Sequence, residues 1–96
     1  MERKNFQKID SLLKQFVRAN NLEQGLAEYR LMKSWDELLG TTIAKTTRSL
    51  RIRNRKLFVT LHSSVVRHEL EMIKDTLIGR LNGAAGMDVI DDIVLR

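Results

Sequence analysis

No cysteine occurs in this chain, which excludes disulfide staples and cysteine-ligated zinc, so the fold must be held by packing. No run approaches the roughly 20 apolar residues that a membrane-spanning helix needs, and the opening MERKNFQKID has no apolar core like that of a secretory signal. Both absences fit a reducing cytoplasm, and the expectation is a cytoplasmic protein without a membrane partner. Acid is missing from one stretch: residues 47–62 hold five bases and no Asp or Glu, against eight bases and six acids in 1–46 and four and six in 63–96. That single segment therefore carries a charge equal to the net +5 of the whole chain. A local positive field draws nucleic acid or an acidic protein surface. Bases on an exposed strand can also serve only to discourage edge-to-edge aggregation.

What is present is enough for one small globular domain. Ninety-six residues, 43% of them hydrophobic, support a single core and are too few for two. Phe6, Ile9, Leu12, Leu13, Phe16 and Val17 recur three or four apart, so residues 4–19 read as an amphipathic helix ended by Asn20 and Asn21. A second helix is expected from Asn21 as N-cap, with Gln24 in a variant capping box. Its stripe is Leu22, Leu26, Tyr29, Met32, Trp35 and Leu38/Leu39, and Gly40 stops it. Trp35, the single tryptophan, falls on that stripe and reads as core. The polar TTIAKTT stretch then leads onward.

Two apolar sets follow at every second position, Leu50/Ile52 and Leu57/Val59/Leu61, the period of a strand. A two-residue turn at Asn54-Arg55 pairs Ile52 with Leu57 and Leu50 with Val59 on one face. Arg53 then meets Lys56, and Arg51 meets Phe58, on the other. Such a turn wants positive φ at both central residues, which Asn tolerates and Arg resists, so a loop wider by one residue is the alternative. Ser63 or Ser64 offers an N-cap for a third helix with the stripe Val66, Leu70, Ile73, Leu77 and Leu81, stopped at Asn82-Gly83. A last strand is expected over 89–95. The fold class is α+β, in the order α-α-β-β-α-β, with a three-stranded sheet covered by helices on one face and open on the other.

Motifs for chemistry are sparse. GAAG at 83–86 matches the GxxG loop of nucleic-acid clamps, but it falls between a helix and a strand and has no cation between its glycines, so it reads as a helix stop. His62, Ser63, Ser64, His68 and Glu69 supply neither an oriented base nor a metal-ligand spacing. No enzyme activity, metal or other cofactor is expected. The one binding constellation is Arg51, Arg53 and Lys56 with Phe58, in which cations track phosphates and a ring stacks a base. Arg48 and Arg55 flank it on the same segment.

WDELLG at 35–40, the basic strand, LFVTLHSSVVRHEL at 57–70, RLNGAAG at 80–86 and DDIVLR at 91–96 together resemble the bacterial DciA family. The resemblance runs from about residue 8 to the end and implies a fold similar to K-homology (KH) domains and to the N-terminal domain of the initiator DnaA. It also implies a role with the replicative DnaB-type helicase, which the better-studied members help to load. The chain has Val66 where members often carry an aromatic residue, and residues 1–96 read as one KH-like domain without the disordered basic tail of many members. The expected function is that of a non-enzymatic replication accessory, weakly binding single-stranded or forked DNA through Arg48, Arg51, Arg53, Arg55, Lys56 and Phe58. A protein-interaction adaptor and a KH-like RNA binder are the alternatives.

Overall fold

The computed structural model describes residues 22–96, so the expected helix over 4–19 and the cap at Asn21 lie outside it. Helix α1, Glu23–Thr46, buries Ala27, Leu31, Ser34 and Trp35, the i, i+4, i+7, i+8 spacing of one helical face. Ser34 satisfies its buried hydroxyl by donating to Leu31 O at 2.7 Å. The expected stripe is corrected here, because Leu22, Leu26 and Tyr29 are 45%, 42% and 59% exposed. Two neighbouring stripes satisfy the same period on this helix. Packing against α3 and the sheet selects the one that joins Ala27 and Leu31 to Trp35. Leu22 is the helix's N-cap and makes no side-chain cap bond, and Gln24 donates to Glu28.

Gly40 breaks the helix with φ 84° and ψ 170°, a conformation open essentially to glycine. Instead of leading straight out, residues 41–46 add one more helical turn beyond the kink. Strand β1, Thr47–Arg53, then pairs antiparallel with β2, Lys56–Leu61, in the register expected from a two-residue turn: Leu50 with Val59, Arg51 with Phe58, Ile52 with Leu57, Arg53 with Lys56. Asn54 and Arg55 take φ 52° and 61°, so the tight turn forms and the wider loop does not. The conformation Arg55 resists is held from outside the hairpin, since its carbonyl accepts Asp91 N at 2.8 Å.

Ser63 caps helix α2, Ser64–Met72, its Oγ accepting Val66 N at 3.2 Å. The expected single third helix is broken at Ile73, which adopts φ −112° and bonds back to Leu70 O. Helix α3, Lys74–Ala85, restarts there. The break re-aims the chain, so that α2 packs on β2 and β3 while α3 packs on α1 and β3; Ile73 is left 47% exposed. α3 runs past Asn82-Gly83 and ends at Gly86, whose φ of 84° supplies the left-handed cap.

Strand β3, Asp92–Leu95, lies parallel to β2, giving the sheet order β1-β2-β3. It is shorter than the expected 89–95. Asn82 explains the difference: its Oδ1 accepts Val89 N at 2.9 Å and Ile90 N at 3.0 Å, and its Nδ2 donates to Ile90 O at 2.8 Å. Those backbone groups are paired with a side chain and have no ladder to join. Val89 and Ile90 nevertheless stay in the core with Trp35, Leu57, Val59, Leu81 and Ile93, each large apolar side chain contributing roughly 1.5–3 kcal/mol by burial. The core lies between the helices and one face of the sheet. The other face has no helix over it among the described residues.

Candidate functional site

Alternation along the strands fills the core face with Leu57, Val59, Leu61 and Ile93, joined by Leu50, Ile52 and Leu95, and assigns the intervening side chains to the open face. The pairing register arranges that face in rows: Ser49 beside Thr60, Arg51 beside Phe58 and Val94, Arg53 beside Lys56 and Asp92. The first row gains a third member past the end of β3. Arg96 N donates to Val59 O at 2.8 Å and Leu61 N donates to Arg96 O at 3.0 Å, which extends the parallel ladder and seats Arg96 next to Thr60.

Ser49, Arg51, Arg53, Phe58, Thr60 and Arg96 line one shallow groove of about 270 Å³. Three guanidinium groups and two hydroxyls converge there, and no acidic side chain lines it. The Arg96 guanidinium lies 5.0 Å from the centroid of the Phe58 ring, within cation–π range. Chemically the groove offers forked donors to an anion with several oxygens, such as a phosphate.

The other expected site residues are placed differently. Lys56 lies on the open face but at the turn end, beside Asp92. Asp92 accepts its own strand's Ile93 N at 2.8 Å and takes Lys74 Nζ at 3.4 Å. The backbone hydrogen bond from Ile93 holds its carboxyl below the ordinary 3.8; desolvation opposes it next in size, and Lys74 and then Lys56 add to the lowering. Arg55 sits in the turn, its Nε 3.4 Å from an oxygen of Asp91 and its Nη1 3.2 Å from Asp88 O. Arg48 stands at a β-bulge, where the register shifts by one between Thr47 and Ser49.

That bulge resolves a conflict in the sequence. Strict alternation from Leu50 and Ile52 would aim Arg48 at the core, where an unpaired charge is costly. The extra residue turns Thr47 inward instead, its Oγ1 accepting Trp35 Nε1 at 2.9 Å and donating to Ile43 O at 2.9 Å, and leaves Arg48 exposed. Ser49, Thr60 and Arg96 were missed at the level of sequence. The hairpin register does put Ser49 and Thr60 on the Arg51 face. The seat of Arg96 depends on which strand β3 joins and in which direction, and no local turn encodes that.

One comparison with known proteins is decisive. The family described as Dna[CI] antecedent, DciA, matches residues 8–95, nearly the whole chain. The chain belongs to the DciA family. This is a DNA-replication family of helicase-loader type, associated with the replicative helicase DnaB. No curated protein and no solved structure matches the chain.

In this DciA-family chain the remaining motifs settle into structural places. Gly83 is helical and Gly86 caps α3, while the joint between α2 and α3, residues 72–74, holds no glycine, so GAAG does not link two helices. Ser63 is used as a cap, and His62 and His68 are exposed. Among the described residues no group of three or more His, Cys, Asp or Glu converges, and no helix is long and apolar enough to cross a membrane.

Proposed function

We propose that this chain is a non-catalytic replication accessory that assists the replicative helicase and holds single-stranded nucleic acid, weakly, on the open face of its sheet. The observation that supports this is the groove itself: Arg51, Arg53 and Arg96 line it together without an acidic side chain among them. A merely solvated strand more often interleaves both signs. Arg48 and Lys56 flank the groove as further phosphate contacts, and Arg55 contributes by fixing the turn. The replication role rests on family membership, and the nucleic-acid role on the charge and shape of this face.

The test is titration of labelled single-stranded DNA at several salt concentrations, comparing the wild type with Arg51→Gln/Arg53→Gln. The double variant should weaken binding and lower the slope of log K against log salt by about 0.7 for each phosphate that is no longer neutralised. Unchanged affinity and slope in a folded variant would remove nucleic acid from this face. A second reading has one observation behind it. Among the described residues Phe58 is the only aromatic one on the open face, and it already has Arg96 against its ring, which suits an adaptor that docks an acidic protein segment here. Capture of the purified helicase that survives nuclease and disappears in the same double variant would favour the adaptor.

A further inference from the structure

Resting on the nucleic-acid reading above, we infer that the groove recognises the sugar–phosphate backbone alone, and that Phe58 serves to hold Arg96 and does not stack a base. A ring that stacks bases must present a free face to them. Here the Arg96 guanidinium lies 5.0 Å from the ring centroid, so a base reaching Phe58 must first displace a cation from it. The main chain of Arg96 is pinned on both sides, by Val59 O and Leu61 N at 2.8 and 3.0 Å. The guanidinium therefore works from a fixed base.

What the arrangement gains is a prepared anion site. The ring steadies a long, rotamer-rich side chain through its π-face, in the row that also carries the Ser49 and Thr60 hydroxyls. Arg51, Phe58's own cross-strand partner, lines the same groove. Two forked guanidinium groups and two hydroxyls are complementary to the non-bridging oxygens of a phosphodiester. The lining holds no amide to pair with adenine and no carboxylate to accept from cytosine, and its guanidinium groups can serve a backbone phosphate without selecting a base. Phe58 is a positioning residue in this scheme, and Arg51 and Arg96 touch the ligand.

The experiment compares two labelled strands of equal length on the full chain, an oligothymidylate and a fully abasic oligonucleotide, each titrated at several salt concentrations. Wild type should bind both within about twofold. Arg96→Gln should weaken both by about three- to tenfold and lower both salt slopes by about 0.7. Phe58→Leu, which keeps an apolar side chain and removes the ring, should weaken both by a factor of about two to five, the equivalent of an exposed cation–π interaction. A wild type that binds the oligothymidylate tenfold tighter than the abasic strand reads bases, and loss of that difference in Phe58→Leu would identify the ring as the platform. The inference then falls while the nucleic-acid reading stands. If neither strand binds wild type at low salt, both fall. The wild-type comparison needs no variant, so it decides even if a substitution disturbs the fold.

Discussion

The two ends of the hairpin carry the same kind of side chain and meet opposite surroundings. At the turn end, Arg55 is engaged by Asp91 and by the carbonyl of Asp88, and Lys56 lies beside Asp92. Toward the far end, Arg51 shares a groove with Arg53 and Arg96, and no acid lines it. All the acids at the turn end come from residues 88–92, a segment more than thirty positions later in the chain. Arg96 follows one residue past the end of β3. The chain end from residue 88 onward thus neutralises one end of the basic segment and adds to the charge of the other. A run of bases in a sequence is thus not a patch; what the third strand brings decides which of them stay free.

Each end also has its own anchor, and the largest effects should come from breaking these. Trp35 holds the far end from beneath, buried in the core with its Nε1 on Thr47 at the bulge. Trp35→Ala is expected to destabilise the fold by about 3–5 kcal/mol, measured by urea unfolding. Trp35→Phe keeps most of the volume and loses the hydrogen bond, so it should cost distinctly less. A small loss in Trp35→Ala would mean that the bulge is not held from the core.

Asn82 anchors the turn end through three hydrogen bonds to residues 89 and 90. At about 1 kcal/mol for each such bond, Asn82→Ala should cost about 2–3 kcal/mol. Because the same loop sets the path of β3, hydrogen exchange should rise at Arg96 N and Leu61 N as well as at Val89 N and Ile90 N. A rise confined to residues 89 and 90 would show that the two ends are uncoupled.

The hairpin was legible in the sequence down to its register because everything that fixes it is local: a period of two, two apolar sets and a turn. Ser63 as a cap and Trp35 in the core were legible for the same reason. The misreadings share a different cause. The stripe of α1 rotated because Leu26 and Ala27 begin two equally periodic faces, and only the neighbouring α3 and sheet choose between them. Ile73 fits a continuous stripe and yet breaks the helix, since α2 and α3 lie against different partners. β3 lost its first residues to Asn82, a side chain seven positions upstream. Arg96 was unreadable as a site residue because the parallel pairing of β2 with β3 is a tertiary choice. Family resemblance read from dispersed motifs proved sound, as the match over residues 8–95 shows.

A smaller effect tests whether Arg55 belongs to structure or to the binding face. Its φ of 61° is unfavourable for a residue with a side chain, by roughly 1–2 kcal/mol, and its ion pair with Asp91 is more than half exposed at both ends, so worth at most about 1 kcal/mol. Arg55→Gly relieves the first and loses the second together with the exposed Nη1 bond to Asp88 O, while the turn carbonyl still accepts Asp91 N. The expected outcome is a gain of about 0.5–1 kcal/mol in thermal or urea unfolding, with an unchanged salt slope of DNA binding. A lowered slope would place Arg55 among the phosphate-binding residues and erase the contrast between the two ends.

The smallest effect concerns Asp92, the one acid in the rows of the open face, and it is a matter of pH. Its carboxyl is held below the ordinary 3.8 by the Ile93 hydrogen bond and then by Lys74 and Lys56. A group whose pKa is lower folded than unfolded adds stability in full above its unfolded value and loses it as pH falls through the folded value. The stability difference between wild type and Asp92→Asn should therefore be constant at neutral pH and vanish only in acid below 3.8. At neutral pH the substitution also removes the single negative charge from the row of Arg53 and Lys56, so DNA should bind slightly tighter to Asp92→Asn than to wild type. That gain should shrink with added salt, because the charge acts on an exposed surface. A variant that binds DNA no better, with its fold intact, would show that Asp92 lies beyond the reach of the bound strand, confining binding to the groove lined by Arg51, Arg53 and Arg96.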